Sequence, residues 1–309
     1  MTPRQIGTLT KESVIAWRAD HASSMGGALA YYTLFSIAPI LVIAIAVAGF
    51  FFGEEAARGE ILVQLRGMLG DDGAAAVQGL LESARRPEQG LLATVAGVLL
   101  LIVGATTVFA ELQMDLDRIW KIPAAEQKGG LWGLLRSRLL SFGLILALGF
   151  LLLVSLIFSA ALAALGQWWG SYFDGWDTVL EMVNFIVALA ITTGLFAMIY
   201  KLLPSVEIAW RDVWIGAAVT ALLFALGKTL IGIYIGRSSV ASGFGAAGSF
   251  VVLLIWVYYS TQIFLLGAEF TGVYARKHGS HKGKIAAKRH KRGPITAAAD
   301  SSPSAEARA

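Results

Sequence analysis

The chain has no cysteine, only four histidines, and few charges for its size, with 15% of its 309 residues being Asp, Glu, Lys or Arg. Without thiols there is no disulfide, no thiolate metal site and no cysteine nucleophile. Metal-assisted hydrolysis needs clustered His and carboxylate ligands. Here His21 stands alone, while His278, His281 and His290 fall in a basic tail. No Walker loop or dinucleotide fingerprint is present, and Gly243, Gly245 and Gly248 follow no strand. The short alternating segments of a β-barrel are missing too. These absences predict a protein that is not an enzyme and carries no cofactor.

What the chain does have is long apolar runs. Hydrophobic residues make up 56% of it, and its mean hydropathy is +0.67. Six stretches, Met25 to Phe52, Gly90 to Ala110, Leu139 to Leu165, Thr178 to Tyr200, Val213 to Ile235 and Ala247 to Phe270, are each long enough to cross roughly 30 Å of hydrocarbon at about 1.5 Å per residue. The predicted fold class is therefore all-α, a polytopic membrane protein of six transmembrane helices. Of the 25 Lys and Arg, nineteen fall in the amino-terminal lead, the second and fourth gaps and the carboxyl tail; five fall in the alternate gaps and Lys228 lies inside a span. The positive-inside rule then puts both termini in the cytoplasm.

This divides the chain into an amphipathic cytoplasmic lead (1–24), a six-helix membrane domain (25–270) and a basic tail (271–309) expected to be largely disordered. In the lead, Ile6, Leu9, Val14, Ile15 and Trp17 are available to lie on the inner surface. The first extracytoplasmic gap carries Leu65, Leu69, Val77, Leu80 and Leu81 at helical spacing, which predicts two amphipathic helices over the outer mouth, the second capped by Asp71 or Asp72. Glu111, Asp115 and Arg118 predict that the second span runs on as a helix until Pro123, with Asp117 and Lys121 as an exposed pair. Trp168, Trp169, Tyr172, Phe173 and Trp176, with no basic residue among them, read as an outer aromatic belt. Eight basic residues between Arg276 and Arg292 point to an anionic lipid leaflet before nucleic acid. Membrane lipids are thus the expected partners. Protein partners and homo-oligomers stay open.

Few polar groups enter the spans. An ammonium at the centre of a span costs at least about 2.5–3.5 kcal/mol unless it is offset, which singles out Lys228. Gly216, Thr220, Phe224, Lys228 and Gly232 read as one stripe of mostly small residues facing neighbouring helices; the alternative is a lysine stem snorkelling to the interface. Glu269 shares a helix face with Tyr258, Gln262 and Arg276, at offsets of eleven, seven and seven residues, within about 20° of one another. An interfacial Glu269–Arg276 pair and a proton or substrate relay both fit that stripe. In the first span Tyr32, Ser36 and Pro39 share a face, and the proline is expected to kink the helix.

Four groups of residues carry a resemblance. Tyr200, Lys201, Leu202, Leu203 and Pro204 lead to Trp210, Arg211 and Asp212, and on to Gly227 and Lys228; Gly248 and Ser249 lead to Trp256, Tyr258, Ser260, Gly267, Ala268 and Glu269. Ala30, Tyr32, Ser36, Ala38 and Pro39 in the first span, and Leu112, Gln113, Arg118, Ile119 and Trp120 after the second, complete the pattern. From Glu12 to Lys277 the chain resembles the YihY and virulence factor BrkB family of bacterial inner-membrane proteins, formerly labelled ribonuclease BN. Phe244 stands where the family typically has a tyrosine before Gly245. The resemblance implies a six-span protein of the cytoplasmic membrane, with envelope-lipid or precursor transport as the leading expectation. Lys228 and Arg211 would be charge partners of an anionic substrate, Glu269 a counter-ion or relay, and Tyr32, Tyr258 and Gln262 flanking polar groups. A non-transporting scaffold that organises envelope partners is the alternative. RNA processing finds no support in these residues.

Overall fold

The computed structural model describes residues 3–84, 91–122, 143, 149, 176–206, 208–237 and 247–280. All regular structure among the described residues is helical: α1 (Pro3–Ala19), α2 (Ala22–Phe52), α3 (Glu54–Ala84), α4 (Leu91–Ile119), α5 (Trp176–Leu202), α6 (Trp210–Arg237) and α7 (Gly248–Lys277). Four helical stretches among them, Ala22–Phe50, Thr178–Leu202, Trp210–Tyr234 and Gly248–Lys277, are long and apolar enough to cross a membrane. The third predicted span apart from Gly143 and Gly149, the aromatic belt up to 175, the small-residue gap 238–246 and the tail from 281 lie outside the described residues.

The lead forms a helix because its apolar positions recur at helical spacing. Leu9, Ser13 and Asp20 are buried, and Leu9 packs with Phe270, Val273 and Tyr274 of α7. Ile6 and Ile15 remain exposed. Polar Ser13 tolerates burial because its hydroxyl donates to the Leu9 carbonyl at 2.7 Å. The helix ends at His21, which adopts a left-handed conformation (φ 57°, ψ 40°) where glycine is the usual residue.

Helix α2 carries Pro39 in its interior. Proline removes one backbone donor and crowds the carbonyl four residues earlier, and α4 fits closely at this place. A Cβ on Gly104 would stand 3.0 Å from Pro39 Cγ, and the Ser36 hydroxyl donates to the Gly104 carbonyl across the same contact. Helix α3 is broken by Gly70, at φ 74° and ψ 179°, a conformation that L side chains rarely adopt. Beyond the break Ala76 and Val77 are buried with Ala30, Leu253 and Val257, so α3 packs on both α2 and α7.

Helices α6 and α7 approach through small residues, as membrane helices do in the absence of a hydrophobic driving force. A Cβ on Gly216 would lie 1.8 Å from Thr271 Oγ1, and one on Gly267 would lie 1.9 Å from Thr220 Oγ1. Thr220 and Thr271 satisfy themselves on carbonyls one turn back, Gly216 at 2.8 Å and Gly267 at 2.7 Å. Tyr200 of α5 closes the seam, its hydroxyl donating to the Phe264 carbonyl at 2.8 Å and lying 3.1 Å from Thr220 Oγ1.

Candidate functional site

The site is built where the α1–α2 turn meets the end of α4 and the last turns of α7. Helix α4 runs past its apolar stretch to Ile119, as the spacing of Glu111, Asp115 and Arg118 predicts, and terminates at Lys121 in a left-handed conformation (φ 55°). That conformation swings the lysine to Asp20, and its ammonium donates to both carboxylate oxygens. The expected exposed pair of Asp117 and Lys121 does not form. Asp117 is buried and accepts from the Ser205 backbone N–H and hydroxyl, each at 2.7 Å.

Glu269 enters this corner from α7 with no exposed surface. Neither of its carboxylate oxygens has a hydrogen-bond partner, and the charged groups around it are Asp20, Arg276 and Lys121. Arg276 lies back along its own helix, with a guanidinium nitrogen 3.1 Å from where a Gly272 Cβ would sit. The structure shows no salt bridge between Arg276 and Glu269. Two turns earlier in α7, Gln262 packs so closely on Gly26 of α2 that a Cβ there would fall 1.9 Å from Nε2. Both amide atoms of Gln262 are also buried without a partner.

Of the residues singled out from sequence, the fold therefore brings Glu269 and Gln262 to the α2/α7 seam. Tyr32 is half-buried on α2, its ring meeting Tyr31 edge-on at 5.6 Å. Tyr258, Arg211 and Lys228 are exposed. Lys228 leaves the small-residue stripe for a geometric reason: each four-residue step overshoots a helical turn by about 40°, so over the twelve residues from Gly216 it rotates about 120° away. Gly227 instead stays on the seam, where a Cβ would meet Ile263 at 2.3 Å. Asp20 and Lys121 went unrecognised as site residues because they lie 101 positions apart on either side of three helices. Nothing in their local sequence announces the contact.

A second buried carboxyl with an unpartnered oxygen lies beyond the apolar part of α4. Asp115 is 6% exposed and its Oδ2 is unpartnered. Burial first, and then the neighbouring Glu111, push its pKa up to about 7 against the opposing pull of Arg118.

A model of the family described as virulence factor BrkB matches residues 14–292. The chain belongs to this family. It is 31% identical over 263 residues to a UPF0761 membrane protein of Cronobacter sakazakii, covering 82% of this chain and 83% of that one. A UPF0761 membrane protein of Psychromonas ingrahamii is 28% identical over 84% of this chain and 85% of its own. One of Verminephrobacter eiseniae is 29% identical over 82% of this chain, which spans only 59% of that longer relative. No solved structure matches. In this BrkB-family membrane protein, much of the block from Tyr200 to Asp212 builds the scaffold. Lys201 donates to the Ile208 carbonyl with its ammonium 5.7 Å from the centre of the Trp210 ring. Asp212 accepts from the Ser280 N–H and hydroxyl, each at 2.8 Å.

Proposed function

We propose that this protein moves an anionic amphiphile of the bacterial envelope between the leaflets of the cytoplasmic membrane. In this reading it has six spans, both ends are cytoplasmic, and the two halves of α3 lie over the outer mouth. The distribution of Lys and Arg between the gaps supports that orientation. The observation that carries the function is Glu269, fully buried and unpartnered within an apolar helix. An unpaired carboxyl there is strongly unfavourable for stability, and an ionisable residue inside a span marks a pathway or relay by default. Gln262 extends the polar line, with its buried amide equally unmatched.

The exposed cations on α6 complement this buried line. Arg211 and Lys228 are seventeen residues apart, about 25 Å along the helix, close to the roughly 30 Å of hydrocarbon between leaflets. An anionic headgroup would meet one cation near each side of the bilayer. Arg211 and Lys228 are then the charge partners and Glu269 the counter-ion or relay, with Tyr32, Tyr258 and Gln262 beside the path.

The test is reconstitution into proteoliposomes containing a fluorescent short-chain phosphatidylglycerol, with chemical quenching of the outer leaflet over time. Wild-type protein is expected to speed equilibration between leaflets, and Lys228→Ala to slow it several-fold at equal insertion. Full lipid movement by Lys228→Ala would remove that residue from the mechanism. No movement by the wild type would favour a scaffold instead.

A further inference from the structure

We propose that Asp20 and Glu269 together form a proton-binding site, holding one proton between their carboxyl groups while α7 is seated against the α1–α2 turn. The proposal rests on the transport reading and names its coupling ion. Three features of the corner support it.

First, the charges do not match unless a proton is present. Lys121 donates to both oxygens of Asp20, so one carboxylate is compensated. Glu269 is buried beside it with neither oxygen partnered, and neighbouring carboxyl groups sharing one site do not both ionise readily. A shared proton lets Glu269 donate an O–H to the Asp20 carboxylate and removes the mismatch. The charged groups that face Glu269 are Asp20 from the turn, Lys121 from the end of α4 and Arg276 from α7 itself. Helix α6 meets this part of α7 through Gly216 and Thr220, neither of which is charged.

Second, the pair joins elements that are held in strained conformations. His21 and Lys121, at φ 57° and 55°, are both left-handed without being glycine. Such residues persist where the surroundings over-determine them and cluster at functional sites and switches. Loss of the proton to water would leave two carboxylates against one lysine at the junction of the turn, α4 and α7. Repulsion would then favour separation of α7 from the turn. Third, Gln262 lies on the same α7 face two turns away with an unpartnered amide, the kind of group a buried water satisfies. Water there would link Glu269 to the polar line.

The experiment uses full-length protein in lipid nanodiscs without transported lipid, read by infrared spectroscopy across pH. All variants carry Asp115→Asn, because Asp115 also titrates near neutrality. The expected result is a protonated-carboxyl C=O band that disappears on alkalinisation, is lost in Glu269→Gln, and changes in frequency and midpoint in Asp20→Asn. Carbon-13 glutamate in the otherwise unmutated background should shift the band, which covers the case where Glu269→Gln fails to fold. A folded protein with no such band, or a band unaffected by both Glu269→Gln and labelled glutamate, would overturn the site. In proteoliposomes an imposed pH gradient should change the lipid rate of the wild type and leave that of Glu269→Gln unchanged. A carboxyl band with wild-type lipid movement indifferent to the gradient would overturn the coupling. A band in protein that moves no lipid would sink the transport reading and leave the proton site standing.

Discussion

Two of the seams of helix α7 differ in one respect. Against α6 it is closely packed and matched: Gly216, Gly267 and Gly227 admit the partner side chains, and the hydroxyls of Thr220, Thr271 and Tyr200 all reach an acceptor. Against α2 and its preceding turn the approach is equally close at Gly26, yet Gln262 and Glu269 are left with buried, unpartnered atoms. Both seams bury polar side chains, but only one satisfies them. The α6 seam holds the bundle together, while the α2 seam keeps polar capacity that packing alone has no use for.

The comparison breaks most visibly at Gly216. Gly216→Leu should yield no monodisperse folded protein in detergent size-exclusion chromatography, since even a Cβ would collide with Thr271. Asp115→Asn sharpens the contrast from outside the spans, where another buried carboxyl oxygen goes unmatched. Its folded pKa of about 7 lies above the ordinary value of 3.8. Between those values the folded state keeps a proton that the unfolded state has lost, so wild-type stability should fall as pH rises from about 4 to about 7. Thermal unfolding across that range should show a flatter profile for Asp115→Asn, and an unchanged slope would refute the assignment.

Tyr200→Phe removes a buried hydroxyl from the matched seam and should lower stability by about 1–2 kcal/mol. Gln262→Leu takes an unmatched amide from the other seam and should raise stability by about 1 kcal/mol while lipid movement declines. Equal destabilisation by the two would erase the distinction. The smallest effect is expected for Lys228→Ala, within about 0.5 kcal/mol in melting experiments, because the residue is exposed.

The apolar helices α2, α5, α6 and α7 were legible because each is a long greasy run, and the Glu269 stripe because helical periodicity is reliable over three turns. The four-residue stripe through Lys228 was misleading for the same geometric reason, since its drift accumulates. Asp117 and Lys121 looked like an exposed helical pair because nothing local reveals that α4 ends by turning Lys121 into a left-handed conformation. The Asp20–Lys121 contact depends on tertiary folding over 101 residues. Glu269 stood out in the sequence as an ionisable residue inside an apolar helix, and the residues that surround it did not.

The contact between Asp212 and Ser280 ties the beginning of α6 to the residues just past α7. Together with the interlocked glycines it makes these two helices one stiff lever with a pinned corner. Any opening beside Gln262 then has to swing that lever as a unit against α2, so an engineered cross-link between α6 and α7 should leave function intact, whereas one between α2 and α7 should arrest it.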